Sequence, residues 1–129
     1  MSETQPQCIY TRLDNGIHRF AFNNSDNQAV DECLAHMDTI LEANPPGKKL
    51  LFLYDLRGGG IPSLRYSYKA VQEFNQQHPV VPEIKSAYIY QDNALLSFWQ
   101  KFIGPLQRNA GSRFFDGKNE GSAIAWLLE

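Results

Sequence analysis

The five residues Leu50 to Tyr54 read LLFLY, with no polar position among them. A half-solvated strand alternates apolar and polar side chains, so an unbroken apolar run of this length suits a strand covered on both faces. Such a strand belongs in the middle of a sheet, and the flanking segments have to supply the layers that cover it.

The flanking segments have the right periods. CIYTRL and IHRFAFN are strand-like runs separated by Asp14-Asn15-Gly16, and Asn-Gly tolerates the positive φ of a hairpin turn, so the first two strands are expected to pair antiparallel. Ser25 and Gln28 have the spacing of a capping box, and Val30, Cys33, Leu34, Met37, Ile40 and Leu41 recur at helical intervals, which predicts a first helix from Asp26 to Ala43. Asn44-Pro45-Pro46-Gly47 ends it, because proline lacks the amide proton and clashes with a continuing helix.

After LLFLY, a second helix is expected with Leu64, Tyr68, Val71 and Phe74 inward and Arg65, Lys69, Gln72, Glu73 and Gln76 in water; His78-Pro79 stops it. Ile84 to Gln91 reads as a strand. Asp92 or Asn93 then caps a third helix with an apolar face of Leu95, Phe98, Trp99, Phe102 and Leu106, kinked or ended at Gly104-Pro105. SRFFD is a short strand, and Asn119 to Leu128 a last helix with Trp126 on its packing face. The order ββαβαβαβα with right-handed crossovers predicts an α/β sandwich: a mixed, mostly parallel five-stranded sheet flanked by four helices. With no repeat or linker in view, residues 8–129 are read as one domain behind a flexible N-terminus at 1–7.

A chain of 129 residues with 43% hydrophobic content can build a proper core. Lys plus Arg number 12 against 14 for Asp plus Glu, so the net charge of -2 gives no electrostatic case for nucleic acid. No stretch approaches the ~18 consecutive apolar residues of a membrane span. The leading MSETQPQ lacks a signal peptide's apolar core, so the expected location is the cytoplasm. Cys8 and Cys33 are read as buried reduced thiols, and His18, His36 and His78, without metal-ligand spacing, as surface or rim residues. No GxSxG elbow or other catalytic pattern supports an enzyme, and neither a cofactor nor a metal is expected.

The stretch YDLRGGGIPSLRYSYKA, residues 54–70, follows the central strand. It is not a Walker loop, because Pro62 rather than lysine precedes Ser63. Gly58 and Gly60 match two positions of a dinucleotide fingerprint, but Ser63 replaces the third glycine. Two readings stand. In one, Gly58, Gly59 and Gly60 let the chain leave the strand and Ser63 caps the second helix. In the other, the helix N-terminus with Ser63, Arg57 and Arg65, next to Asp55, is a regulatory or anion site. Separately, Tyr66 and Tyr68 with Phe98, Trp99 and Phe102 could line an apolar groove between the second and third helices for a small apolar ligand, although most such aromatics fill cores. An exposed edge strand or aromatic face would also support a homodimer.

The hairpin, the helix VDECLAHMDTILEA, the central strand LLFLYDLRG and the ending FFDGKNEGSAIAWLLE resemble the SpoIIAA-like proteins, relatives of STAS domains (sulfate transporter and anti-sigma factor antagonist). The resemblance covers nearly the whole chain after the first few residues. It implies a small bacterial α/β domain without a cofactor that works mainly by binding protein partners. In anti-sigma factor antagonists a serine preceded by aspartate lies just after the central strand, and its phosphorylation controls association with a kinase. Matching Asp55 to the aspartate that ends that strand places Ser63 near the phosphorylated position, but here the preceding residue is Pro62. The fold is also similar to the lipid-binding domain of Sec14-type proteins, which keeps the apolar-ligand reading beside the partner-binding one.

Overall fold

The all-apolar run lies at the centre of the sheet. The computed structural model describes residues 7–23, 26–44, 49–58, 64–79, 83–91 and 111–129. Its strands are β1 (Cys8–Arg12), β2 (His18–Phe22), β3 (Lys49–Asp55), β4 (Glu83–Tyr90) and β5 (Ser112–Asp116), and its helices are α1 (Asn27–Ala43), α2 (Leu64–Gln77) and α3 (Glu120–Leu128). The strands form one sheet in the order β1-β2-β3-β4-β5. β1 and β2 pair antiparallel and every other neighbouring pair is parallel. The expected helix over residues 92–106, with Phe98, Trp99 and Phe102, lies outside the described residues, as do Gly59, Gly60 and Ser63.

The topology sets where the helices go. Consecutive strands step across the sheet in one direction, so right-handed crossovers from β2 to β3 and from β3 to β4 place α1 and α2 side by side on one face. α3 follows the last strand and packs on the opposite face against β3, β4 and β5. β3 therefore sends Leu50 and Phe52 into one core with Cys33, Ile40, Leu41 and Phe74, and Leu53 into a second with Ile17, Ala87, Ile89, Ala123 and Leu127. Alternating side chains of one apolar strand are buried on opposite sides.

An aromatic row crosses the α1/α2 face of the sheet. Tyr10, Phe20, Tyr54, Tyr88 and Phe114, one from each strand, are register partners in turn. Successive ring centroids are 5.5, 5.2, 4.8 and 4.9 Å apart, within the range of favourable ring pairs. Burial pushes the Tyr54 and Tyr88 hydroxyls up, so both stay neutral.

The hairpin closes through Asp14-Asn15-Gly16. The Leu13 amide donates to the Ile17 carbonyl at 2.8 Å, and Gly16 takes φ +88°, a backbone state that side chains disfavour. α1 starts at Asn27 with Asp26 as N-cap, and the Gln28 side-chain amide donates to Glu32 Oε2 at 2.8 Å; Ser25 of the expected capping box lies outside the described residues. The other Glu32 oxygen accepts the Gln7 and Cys8 amides at 2.7 and 2.8 Å, tying the start of β1 to the helix. The Gln28 bond and these backbone amides hold the Glu32 carboxyl below the usual range against the opposing effect of burial.

Two expectations about side-chain placement are corrected. His18 is not a rim residue: it is 6% exposed, its Nδ1 lies 2.6 Å from the Tyr10 hydroxyl, and its ring meets the edge of Phe52. On α2, Phe74 is inward as expected, but Tyr68 is 44% exposed and Ser67 beside it is buried. Cys8 and Cys33 are buried free thiols in the first core.

Replacing Glu32 with alanine is expected to cost about 1–2 kcal/mol in urea unfolding at pH 7, because two strand amides lose their acceptor. A depressed carboxyl contributes stability above its unfolded pKa and loses it as pH falls through the folded one, so the gap between the two proteins narrows on acidification.

Candidate functional site

Asp55 ends β3 on the face that Leu51 and Leu53 share, turned toward α3. Arg19 of β2 is the register partner of Leu53 and so projects from that same face one step away. Its Nη2 donates to Asp55 Oδ2 at 2.7 Å. Leu56 is buried, and its amide donates to the Ile89 carbonyl of β4 at 2.9 Å, which carries the chain across the sheet end into Arg57.

Arg57 folds back over the aspartate. Its Nε and Nη2 donate to Asp55 Oδ1 and Oδ2 at 2.9 and 2.8 Å, a bidentate fork, and its backbone amide also reaches Oδ1 at 3.0 Å. The same Nη2 donates to Glu120 Oε1 at 2.7 Å in the first turn of α3, and Nη1 to the Gly117 carbonyl at 2.9 Å. One guanidinium thus joins the end of β3, the β5–α3 turn and the start of α3.

Electrostatics and sterics agree with this placement. Burial pushes the Asp55 carboxyl up, but the Arg57 hydrogen bonds and the Arg57 and Arg19 charges outweigh it and hold the group below the usual range. The hydrogen bond to Asp55 leads in raising the Arg57 pKa against burial, so the guanidinium stays charged. Two glycines permit the approach. A Cβ on Gly117 would stand 2.9 Å from Arg57 Cδ and 3.0 Å from the Tyr90 carbonyl oxygen, and one on Gly58 would stand 2.7 Å from the Phe22 carbonyl oxygen. Arg19, Arg57, Asp55 and Glu120 neutralise one another, which suits a rigid junction at the C-terminal end of the sheet.

Of the residues singled out from sequence, Asp55 and Arg57 meet in this junction, and Gly58 follows it against the end of β2. Arg65 lies on the exposed side of α2, a face shared with Tyr68, Lys69 and Gln72. The Tyr66 hydroxyl donates to Asp31 of α1. Tyr68 is 44% exposed, and the other side of the expected apolar groove, Phe98, Trp99 and Phe102, lies outside the described residues. Arg19, Gly117 and Glu120 were not apparent as a site. Glu120 carried a signal, an acid in the first turn of a helix, but its partner is 63 residues away. Among the described residues no group of three or more His, Cys, Asp or Glu side chains could hold a metal ion, and no helix is long and apolar enough to cross a membrane.

Arg57→Ala leaves Asp55 and Glu120 without their shared donor, and a loss of about 2–3 kcal/mol is expected in chemical unfolding. The depressed Asp55 carboxyl stabilises the fold above the ordinary aspartate range and loses that contribution as pH falls through its folded value. Asp55→Asn is accordingly expected to flatten the acid limb of stability against pH, measured by thermal unfolding between pH 7 and pH 3.

The SpoIIAA-like family profile matches residues 20–128, from the last three residues of β2 through the end of α3, and therefore most of the junction. Among solved structures, an uncharacterized protein from Shewanella loihica with a SpoIIAA-like fold is similar to this chain, with a TM-score of 0.67 and 14% identity over 98% of both chains. Comparison with curated proteins finds no match. The mixed five-stranded sheet, the helices on both faces and the family match over most of its length lead to one conclusion: the chain belongs to the SpoIIAA-like family.

Proposed function

We propose that this protein is a STAS-like regulatory module, a cytoplasmic, non-catalytic domain that acts by binding a protein partner through the connection that follows β3 and the exposed face of α2. The observation that carries this reading is the solvent face of α2, where Arg65, Tyr68, Lys69 and Gln72 are all exposed. Tyr68 is 44% exposed although its position in the apolar period would let it be buried. An exposed tyrosine flanked by cationic groups is a common anchor in protein interfaces, because it contributes a large rigid surface and a hydroxyl together.

The junction supports the same reading. With its Nε, Nη1 and Nη2 groups engaged by Asp55, Glu120 and Gly117, Arg57 serves to hold the loop that leads to α2. Contact and regulation are then assigned to residues beyond it: Gly59, Gly60 and Ser63 in the connection, and Arg65 on the first turn of α2. A phosphoryl group on Ser63 would bring about two negative charges next to the start of a helix and to Arg65, which is the electrostatic basis for a switch.

Affinity capture from native lysate tests the assignment with wild type, Ser63→Glu and a double variant Arg65→Glu/Tyr68→Ala. Wild type is expected to retain a protein that the double variant loses, and Ser63→Glu to alter its recovery. Identical protein sets on wild type and the double variant would remove α2 as the contact face.

A further inference from the structure

α1 and α2 do not close against each other along their outer surfaces. Between them lies a groove of about 480 Å³. The apolar part of its lining comes from Leu34 and Ala35 of α1 and from Ala70 and Phe74 of α2. Both helices place an alanine in this lining, Ala35 and Ala70, where larger side chains would take up the space. The lining is charged and lopsided: three carboxylates, Asp31, Asp38 and Glu73, stand against one ammonium group, Lys69.

The groove is bounded at both ends by bonds between the helices. The Tyr66 hydroxyl reaches Asp31 at one end, and His78 Nε2 lies 2.7 Å from Asp38 at the other. These bonds place the two aspartates along one edge. They are seven residues apart on α1, so about 10 Å of helix separates them at 1.5 Å per residue. Ala35, also in the lining, falls between them, four residues after Asp31 and three before Asp38.

We infer that this groove is a docking site for a basic amphipathic helix of a partner protein, laid along α1. Two Lys or Arg residues spaced seven apart meet Asp31 and Asp38, and a bulky apolar side chain between them enters the groove beside Ala35 and Ala70. Charge complementarity selects the occupant: an acidic or neutral helix would face three carboxylates, whereas a basic one is attracted to the groove and aligned in it. The site deepens the interaction-module reading and rests on it, but it lies between α1 and α2 and does not use Arg65, Tyr68 or Ser63.

The test is fluorescence anisotropy with a labelled synthetic helix of about 15 residues, long enough for the ~10 Å between the aspartates. The probe carries lysines seven apart with leucines between them, and a control peptide has glutamates in their place. Saturable binding of the lysine peptide to wild type is expected, weakening as salt is raised. Asp31→Asn/Asp38→Asn keeps an oxygen acceptor for Tyr66 and His78 and is expected to lower affinity about tenfold. Ala35→Trp, at an exposed helix position, is expected to abolish binding, with far-UV circular dichroism verifying that both variants remain folded.

No saturable binding to wild type, equal binding of the glutamate peptide, or unchanged binding to Ala35→Trp would overturn the proposal. So would a self-association in sedimentation that Ala35→Trp removes, because the groove would then belong to a second copy of this chain. Arg65→Glu/Tyr68→Ala is expected to bind the peptide like wild type. If the peptide fails while that variant still loses its captured partner, the groove falls and the interaction-module reading stands.

Discussion

The bidentate pair between Arg57 and Asp55 decides how the C-terminal end of this sheet is used. Asp55 is the last residue of the central strand, and its side chain faces α3 because the two residues before it in the same parity, Leu51 and Leu53, face the second core. A carboxylate in that position needs cations, and Arg19 and Arg57 provide them from the neighbouring strand and from two residues ahead. Once Arg57 is turned that way, its remaining donors reach Gly117 and Glu120, and the end of β3 is tied to the start of α3. The path into α2 begins from a fixed point, and Gly58 is needed there because the Phe22 carbonyl leaves no room for a side chain.

Much of the fold was legible in the chain, for definite reasons. LLFLY could only be satisfied by cover on both faces, and β3 is the middle strand of five. Asn15-Gly16 marked the hairpin because Gly16 takes a positive φ that other residues avoid. The apolar period of α1 places Cys33, Ile40 and Leu41 in the core. These features depend on local chemistry, and local chemistry is written in consecutive residues.

The candidate site was less legible because its geometry comes from packing between distant segments. Asp55 and Arg57 stood out beside the glycines, yet their role depends on Glu120 and Gly117, which no spacing connects to them. His18 read as an ordinary strand polar residue, but it sits on the face that α1 covers and is buried with a hydroxyl partner in Tyr10. Tyr68 is exposed where apolar periodicity places it inward, and its neighbour Ser67 is buried instead, because packing of the helix on the sheet and not residue type alone selects the inward position. The two sides of β3 therefore differ in kind: the α3 side carries a rigid junction of paired charges, and on the α2 side Arg65, Tyr68, Lys69 and Gln72 are exposed.

The claim most open to direct test is that Arg57 belongs to the framework and is not an anion receptor. Nitrogen-15 labelled protein titrated with inorganic phosphate, followed at the Arg57 Nε–H resonance, addresses it without altering the molecule. With Nε donating to Asp55 at 2.9 Å, the resonance is expected to stay in place and to exchange slowly throughout the titration. A saturable shift of that resonance with phosphate would contradict the assignment and return Arg57 to the binding surface.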